Sequence, residues 1–357
     1  MKLPRTAIGT MTALGLGLMT AFAAAQTAPD EPSYAELNDA IITHQIAPAH
    51  EAFAIAAQDL ASALDGYCVA GTGDLDAVSD AYHNTYDRWM AVSWVNFGPQ
   101  SLFMRPVRVH FWPDSRNTVG RQLAGVLNEP RDDLLDPEVL GSASVALQGL
   151  PALERLLFEG DGLEPESYTC ALGIAIAANL EAIGADLSAA WSDPDAPGAA
   201  LPDDAALAVT MFQAAFEQLE LILTRKLAAP LGESADQARP RLAENWRSGR
   251  ALRNIGVNLT TLRDLTENGD QAGFADLLRD APGGADIADR VIAELDAAIA
   301  LAEPLRDQPI AQLVADPDQR ADLVTLGQHV AEARRIWSDE VGPALNLNLG
   351  FNSLDGD

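Results

Sequence analysis

The stretch Leu207–Leu227, "LAVTMFQAAFEQLELILTRKL", decides how the chain is read. Apolar residues recur at three- and four-residue spacing, so that Leu207, Met211, Ala215, Leu219 and Ile222 share one face. That period belongs to an amphipathic helix and not to a strand, whose side chains alternate at every second residue. The same period runs through Phe53–Cys68, Leu75–Val92, Cys170–Trp191, Arg247–Leu265, Ile287–Leu305 and Ala321–Val341. Breakers such as "GTGD" (71–74), "GPQ" (98–100), "PLGES" (230–234) and "APGGAD" (281–286) separate these runs. The one extended candidate is Arg105–Trp112, "RPVRVHFW", which alternates briefly. The chain therefore reads as all-α.

The Pro/Asp/Gly/Ala-rich segment between Ser192 and Asp204 is the best boundary. It divides an N-terminal helical bundle, 34–192, from a C-terminal one, 204–357, each able to bury one apolar stripe per helix. "LPALERLL" (Leu150–Leu157) echoes "FEQLELIL" (Phe216–Leu223), and "DAYHNTYDRW" before "NFGP" echoes "HVAEARRIW" before "EVGP". The echoes occur in swapped order, so the two bundles would be related by a permuted duplication.

The first residues carry Lys2 and Arg5, then an apolar run from Ala7 to Phe22, then Ala23-Ala24-Ala25. This is the pattern of a signal peptide over 1–25, and it implies export to a periplasm with no membrane span after cleavage. The net charge of −29 makes nucleic acid and anionic lipid poor partners. Cys68 and Cys170 are the two cysteines, and in an oxidising compartment an even pair suggests a disulfide.

Five histidines occur: His44, His50, His83, His110 and His329. None are four apart and there is no HExxH, so the simplest zinc-hydrolase spacing is missing. His44 and Glu51 could share a face of a helix bent at Pro48, although an ordinary polar edge on a bundle helix explains them better. Trp94–Gln122 concentrates aromatics with Arg105, Arg108, Arg116 and Arg121 around His110, Trp112 and Asp114. Such a connection is either a binding loop or a lid over the core.

"QGLPALERLLFEG" (Gln148–Gly160) sets a glycine and a proline before a run of helix formers. Proline is tolerated in a first turn, where its missing N–H costs nothing, so Gly149 and Pro151 mark a helix start. Glu154 then falls in the first turn, where the helix dipole favours a carboxylate.

With these residues the chain resembles the imelysin family. The resemblance spans nearly all of the sequence after residue 25. It is carried by "FGP" (Phe97–Pro99), "FWPD" (Phe111–Asp114), "GLPALERLLF" (Gly149–Phe158), "CALGIAIAANL" (Cys170–Leu180) and "GFNSLDGD" (350–357). It implies an exported protein of two related helical bundles, linked to iron uptake and envelope iron regulation; some members have been described as metallopeptidases. The family's Gly-x-His-x-x-Glu signature places its glycine on Gly149, its glutamate on Glu154 and its histidine on Pro151. Proline offers no side-chain ligand, whereas a catalytic zinc commonly uses histidine. The resemblance thus implies a binding or accessory protein for iron, another divalent or trivalent metal, or a small ligand. Its metal ligand would be Glu154, and its partners would include envelope iron-transport proteins. Two alternatives are a metallopeptidase rebuilt from His44, His110 or His329 around Glu154, and a non-catalytic interaction protein.

Overall fold

The period read from Leu207–Leu227 gives a helix whose apolar face is buried throughout. Leu207, Met211, Phe212, Ala215 and Leu219 are all inside. A computed structural model of the chain describes residues 34–160, 162–193 and 200–347. The 1–25 leader and the terminal "GFNSLDGD" lie outside the described residues.

The main helices are α1 (Tyr34–Ile41), α2 (Ala47–Asp65), α3 (Leu75–Val92), α4 (Leu150–Phe158) and α5 (Tyr168–Ser192). After the boundary segment come α6 (Asp204–Leu221), α7 (Ala251–Thr266), α8 (Gly284–Ala302) and α9 (Pro317–Ile336). No strand occurs among the described residues. "RPVRVHFW" is not the extended ribbon its alternation suggested. Arg105–Val109 is a short helix with Pro106 in its first turn, where proline starts a helix, and the chain runs irregularly from His110.

Two apolar cores form. In the first, α2 packs on α3 and α5, around Phe53, Trp89, Leu172, Ile176, Leu180 and Leu187. Close approach of α2 to α5 needs Gly184, because a Cβ there would lie 3.0 Å from the Ala54 Cα. In the second core α6, α7, α8 and α9 surround Phe212, Phe274 and Trp337. The Trp337 indole N–H donates to the Phe212 carbonyl at 3.0 Å, and the two rings stack at 5.6 Å.

The cores do not follow the chain boundary at 192–204. Leu37, Ile41 and Ile46 from the start of the chain, with Trp94, Phe97 and Trp191, pack into the second core. Asn38 donates to the Asp204 carbonyl at 2.9 Å, and the Tyr34 hydroxyl donates to the Leu345 carbonyl. Apolar side chains of the opening helix find their partners on α6, and burial rather than chain order assigns them. Both cores belong to one compact unit. The sequence echo also stops short of the environment: Glu154 is buried, whereas its counterpart Glu220 is half-exposed and pairs with Arg334 at 3.1 Å. Helix α5 and the Asp204–Leu231 stretch are long and apolar enough to cross a membrane, yet each buries much of its apolar surface inside the protein.

A polar seam joins the cores. The Lys226 ammonium, fully buried, donates to Glu244 at 3.0 Å and to Asn258 at 2.6 Å, and touches the Met90 sulfur at 3.4 Å. Asn258 donates onward to the Met90 carbonyl at 2.7 Å. Asp87 on α3 accepts from Arg250 at 2.5 Å and Arg253 at 2.9 Å. Removing one partner of a buried pair strands the other charge, so Lys226→Met should cost about 3–5 kcal/mol in chemical denaturation. Lys226→Met/Glu244→Gln should recover a large part of that loss.

Cys68 and Cys170 form a disulfide with Cα atoms 5.6 Å apart, joining the end of the second helix region to the start of α5. The bridge closes a sequence separation of 102 residues, for which the chain-entropy model gives about 4–5 kcal/mol. Cys68→Ser/Cys170→Ser should lower the denaturation midpoint accordingly, and unreduced denatured protein should show no free thiol.

Candidate functional site

A cleft of about 550 Å³ opens beside α4, within the range of small-molecule sites. Its position follows from one glycine. Gly149 caps α4, and a Cβ there would lie 2.2 Å from the Val109 carbonyl oxygen and 2.4 Å from that of Arg108. Only glycine lets the start of α4 press against the end of the Arg105–Val109 helix. Phe111, Trp112, Pro113 and Asp114 then turn along the cleft wall, through a cis Trp112–Pro113 bond, opposite Pro151 and Glu154.

Pro151 sits in the first turn of α4, as its lack of an N–H requires. Glu154 is one residue beyond that turn and caps no N–H of its own helix. It is 4% exposed and reaches across to the other half of the chain. One oxygen accepts from the Ser248 backbone N–H at 3.2 Å and from the Ser248 hydroxyl at 3.1 Å, and the other faces the Arg247 guanidinium at 3.9 Å. Burial pushes the Glu154 carboxyl above its ordinary range, against the opposing pull of Arg247 and Ser248.

The far wall comes from Arg225 and the loop Arg241–Arg247. Arg225 and Lys226 occupy a π-helical turn, Ile222–Ala228; Arg225 reaches the cleft while Lys226 enters the seam. Trp246 carries the Arg247 guanidinium at 4.3 Å and the Arg241 guanidinium at 5.4 Å from its ring centre. Glu159, at the rim, accepts from Arg155 at 2.7 Å and from Arg247 at 3.0 Å.

The sequence-derived candidates separate here. Gly149, Pro151, Glu154, Trp112 and Asp114 come together. Asp114 does structural work, accepting from the Thr118 and Val119 N–H groups at 2.7 and 2.8 Å. His110 lies behind the wall: its Nε2 is hydrogen-bonded with the Tyr86 hydroxyl at 2.6 Å and lies 3.3 Å from Glu244, and burial holds its pKa down at about 4. Arg116 is exposed and outside the lining, as is His44 on the turn after α1. His329 pairs with Glu294 at 2.6 Å on the second bundle. Arg105 and Arg108 are likewise spent on structure, bonding the Pro99 carbonyl and the Gln148 and Asn179 side chains. The cleft's arginines are instead Arg155, Arg225, Arg241 and Arg247. "RPRLAENWRSGR" (239–250) has the same Pro, Gly, Trp and Arg density that marks Trp94–Gln122, but it runs on into a helical pattern that masks it.

These donors do not fit a bare metal ion. Pro151 offers no ligand, and both Glu154 oxygens face hydrogen-bond donors. Among the described residues no three His, Cys, Asp or Glu side chains gather to hold a metal.

The chain is all-helical among the described residues, with two apolar cores and a cleft at the "GLPALE" break. The family model Imelysin matches residues 46–336, and the chain belongs to the imelysin family. An imelysin-like protein from Psychrobacter arcticum 273-4 superposes with a TM-score of 0.74 at 21% identity, over 89% of this chain and 96% of that one. A candidate iron-regulated protein A precursor from Parabacteroides distasonis ATCC 8503 gives 0.68 at 12% identity, over 88% and 96%. No curated protein sequence matches.

The raised carboxyl of Glu154 carries a pH signature. A carboxyl whose native pKa exceeds its unfolded value binds more protons when folded, so the native state loses stability as pH rises between the two values. Glu154→Gln removes that penalty. The variant should therefore equal or exceed wild type in thermal melting at neutral pH, and the two curves should converge in acid below the unfolded carboxyl value.

Proposed function

We propose that the chain is an exported binding or accessory protein in iron handling at the cell envelope. Its ligand site is the cleft beside Glu154, and the protein is not a peptidase. The observation that carries this reading is the convergence of the family's signature segment, Gly149–Glu154, with Trp112, Trp246 and Arg247 around a cavity of ligand size. Family membership supports it, as does the iron-regulated name of a protein with the same fold. The leader-like sequence of residues 1–25 and the Cys68–Cys170 bridge support an oxidising compartment. Hydrolysis would need a metal-bound or side-chain nucleophile. Glu154 faces Arg247 and Ser248, and none of the five histidines lines the cleft.

A deletion strain tests the role. Under iron limitation it should take up less radiolabelled iron than its parent, and the protein should fractionate with the periplasm beginning at Gln26. Equal uptake in the two strains, or retention of the chain in the cytoplasm, would remove the proposal.

A further inference from the structure

The cleft stands in electrostatic contrast to the rest of the chain. The protein carries a net charge of −29, yet Arg155, Arg225, Arg241 and Arg247 converge on one cavity. Of the acids beside them, Asp114 is engaged by the helix it caps, and Glu159 is shared by Arg155 and Arg247. Arg225 and Arg241 have no acidic partner within ion-pair distance among the described residues, although both line the cavity. Arg241 is instead held over Trp246, whose indole also carries Arg247. A guanidinium fixed on an aromatic face loses little freedom when it binds, and its planar fork matches a carboxylate.

We infer that this cleft is a site for a small organic polycarboxylate. The inference rests on the reading of the cleft as the protein's ligand site and adds the chemistry of the ligand. The unpaired guanidiniums call for at least two anionic groups. The apolar wall of Phe111, Trp112 and Leu242 calls for a carbon frame between them. A compact ion such as inorganic phosphate would leave that apolar wall uncovered, and Glu154 and Glu159 are already engaged by Ser248, Arg247 and Arg155. A ferric ion wrapped by such carboxylates enters as part of an anion. That form suits a cleft with arginines and without a set of metal ligands.

The test is calorimetric titration of the mature chain with citrate, with ferric citrate and with inorganic phosphate. Wild type and Arg225→Gln/Arg241→Gln are compared, since both substituted side chains are exposed and support no ion pair of the fold. Citrate, free or as its ferric complex, should bind one-to-one, and binding should weaken as salt rises. The double variant should bind about tenfold or more weakly, the loss expected from removing charged hydrogen bonds. Absence of binding by either form of citrate at millimolar concentration would overturn the inference. So would equal binding by the double variant, or phosphate binding as tight as that of citrate. Citrate binding alongside unimpaired iron uptake in the deletion strain would remove the iron role and leave the polycarboxylate site standing.

Discussion

The buried ion pair of Lys226 and Glu244 is the constraint on which the rest of the structure depends. Both side chains are almost fully enclosed, at 2% and 1% exposure, and two charges taken out of water are costly unless every remaining donor is satisfied. The shell of donors and acceptors around the pair is drawn from both cores. Asn258 and Met90 meet the ammonium; Asn254 donates to Glu244 at 2.7 Å and to Asn245 at 2.7 Å; Asn245 donates to the Tyr82 hydroxyl at 3.0 Å. An apolar seam would let the two cores slide, because hydrophobic contact has no direction. A polar seam of directional hydrogen bonds restricts their register.

That register places the functional loop. Glu244 and Asn245 are fixed by the seam, and Trp246, Arg247 and Ser248 follow directly, so the ion pair sets where the last three meet Glu154. On the opposite side Gly149 does the equivalent work, letting the Arg108 and Val109 carbonyls approach the start of α4. The cleft is thus clamped by a polar network on one wall and a steric fit on the other. Side chains held in this way are pre-oriented for a ligand.

Much of this was legible in the sequence, for reasons that differ by residue. The helices follow from the spacing of Leu207, Met211 and their equivalents, because burial of one stripe is a local signal. The break at Gly149 and Pro151 follows from backbone chemistry, and the disulfide from an even pair of cysteines. The assignment of Leu37, Ile41 and Ile46 to the second core was not legible, since an amphipathic helix does not name its partner. Nor were Arg225 and Arg241, because an arginine in a helical run or in the connection between two runs looks like solvated surface until the fold puts it on the same cleft wall as Trp246. Arg105 and Arg108 mislead for the converse reason: a loop rich in arginine also needs donors for its own buried carbonyls and amides.

The proline at position 151 and the guanidinium at position 247 then make one physical statement. A carboxylate can offer its lone pairs to a cation or to protein donors, and Glu154 offers them to Ser248 and Arg247. Proline at position 151 supplies no nitrogen that would help a cation compete for that carboxylate. What is left is an acid engaged by Ser248 and Arg247 beside a wall of arginines, and the field in the cleft is set by the unpaired guanidiniums of Arg225 and Arg241. In a chain of net charge −29 an anion is repelled from most of the surface at long range, so such a field acts only close in. Selectivity in this cleft therefore comes from short-range fit against the indoles and guanidiniums and not from electrostatic steering.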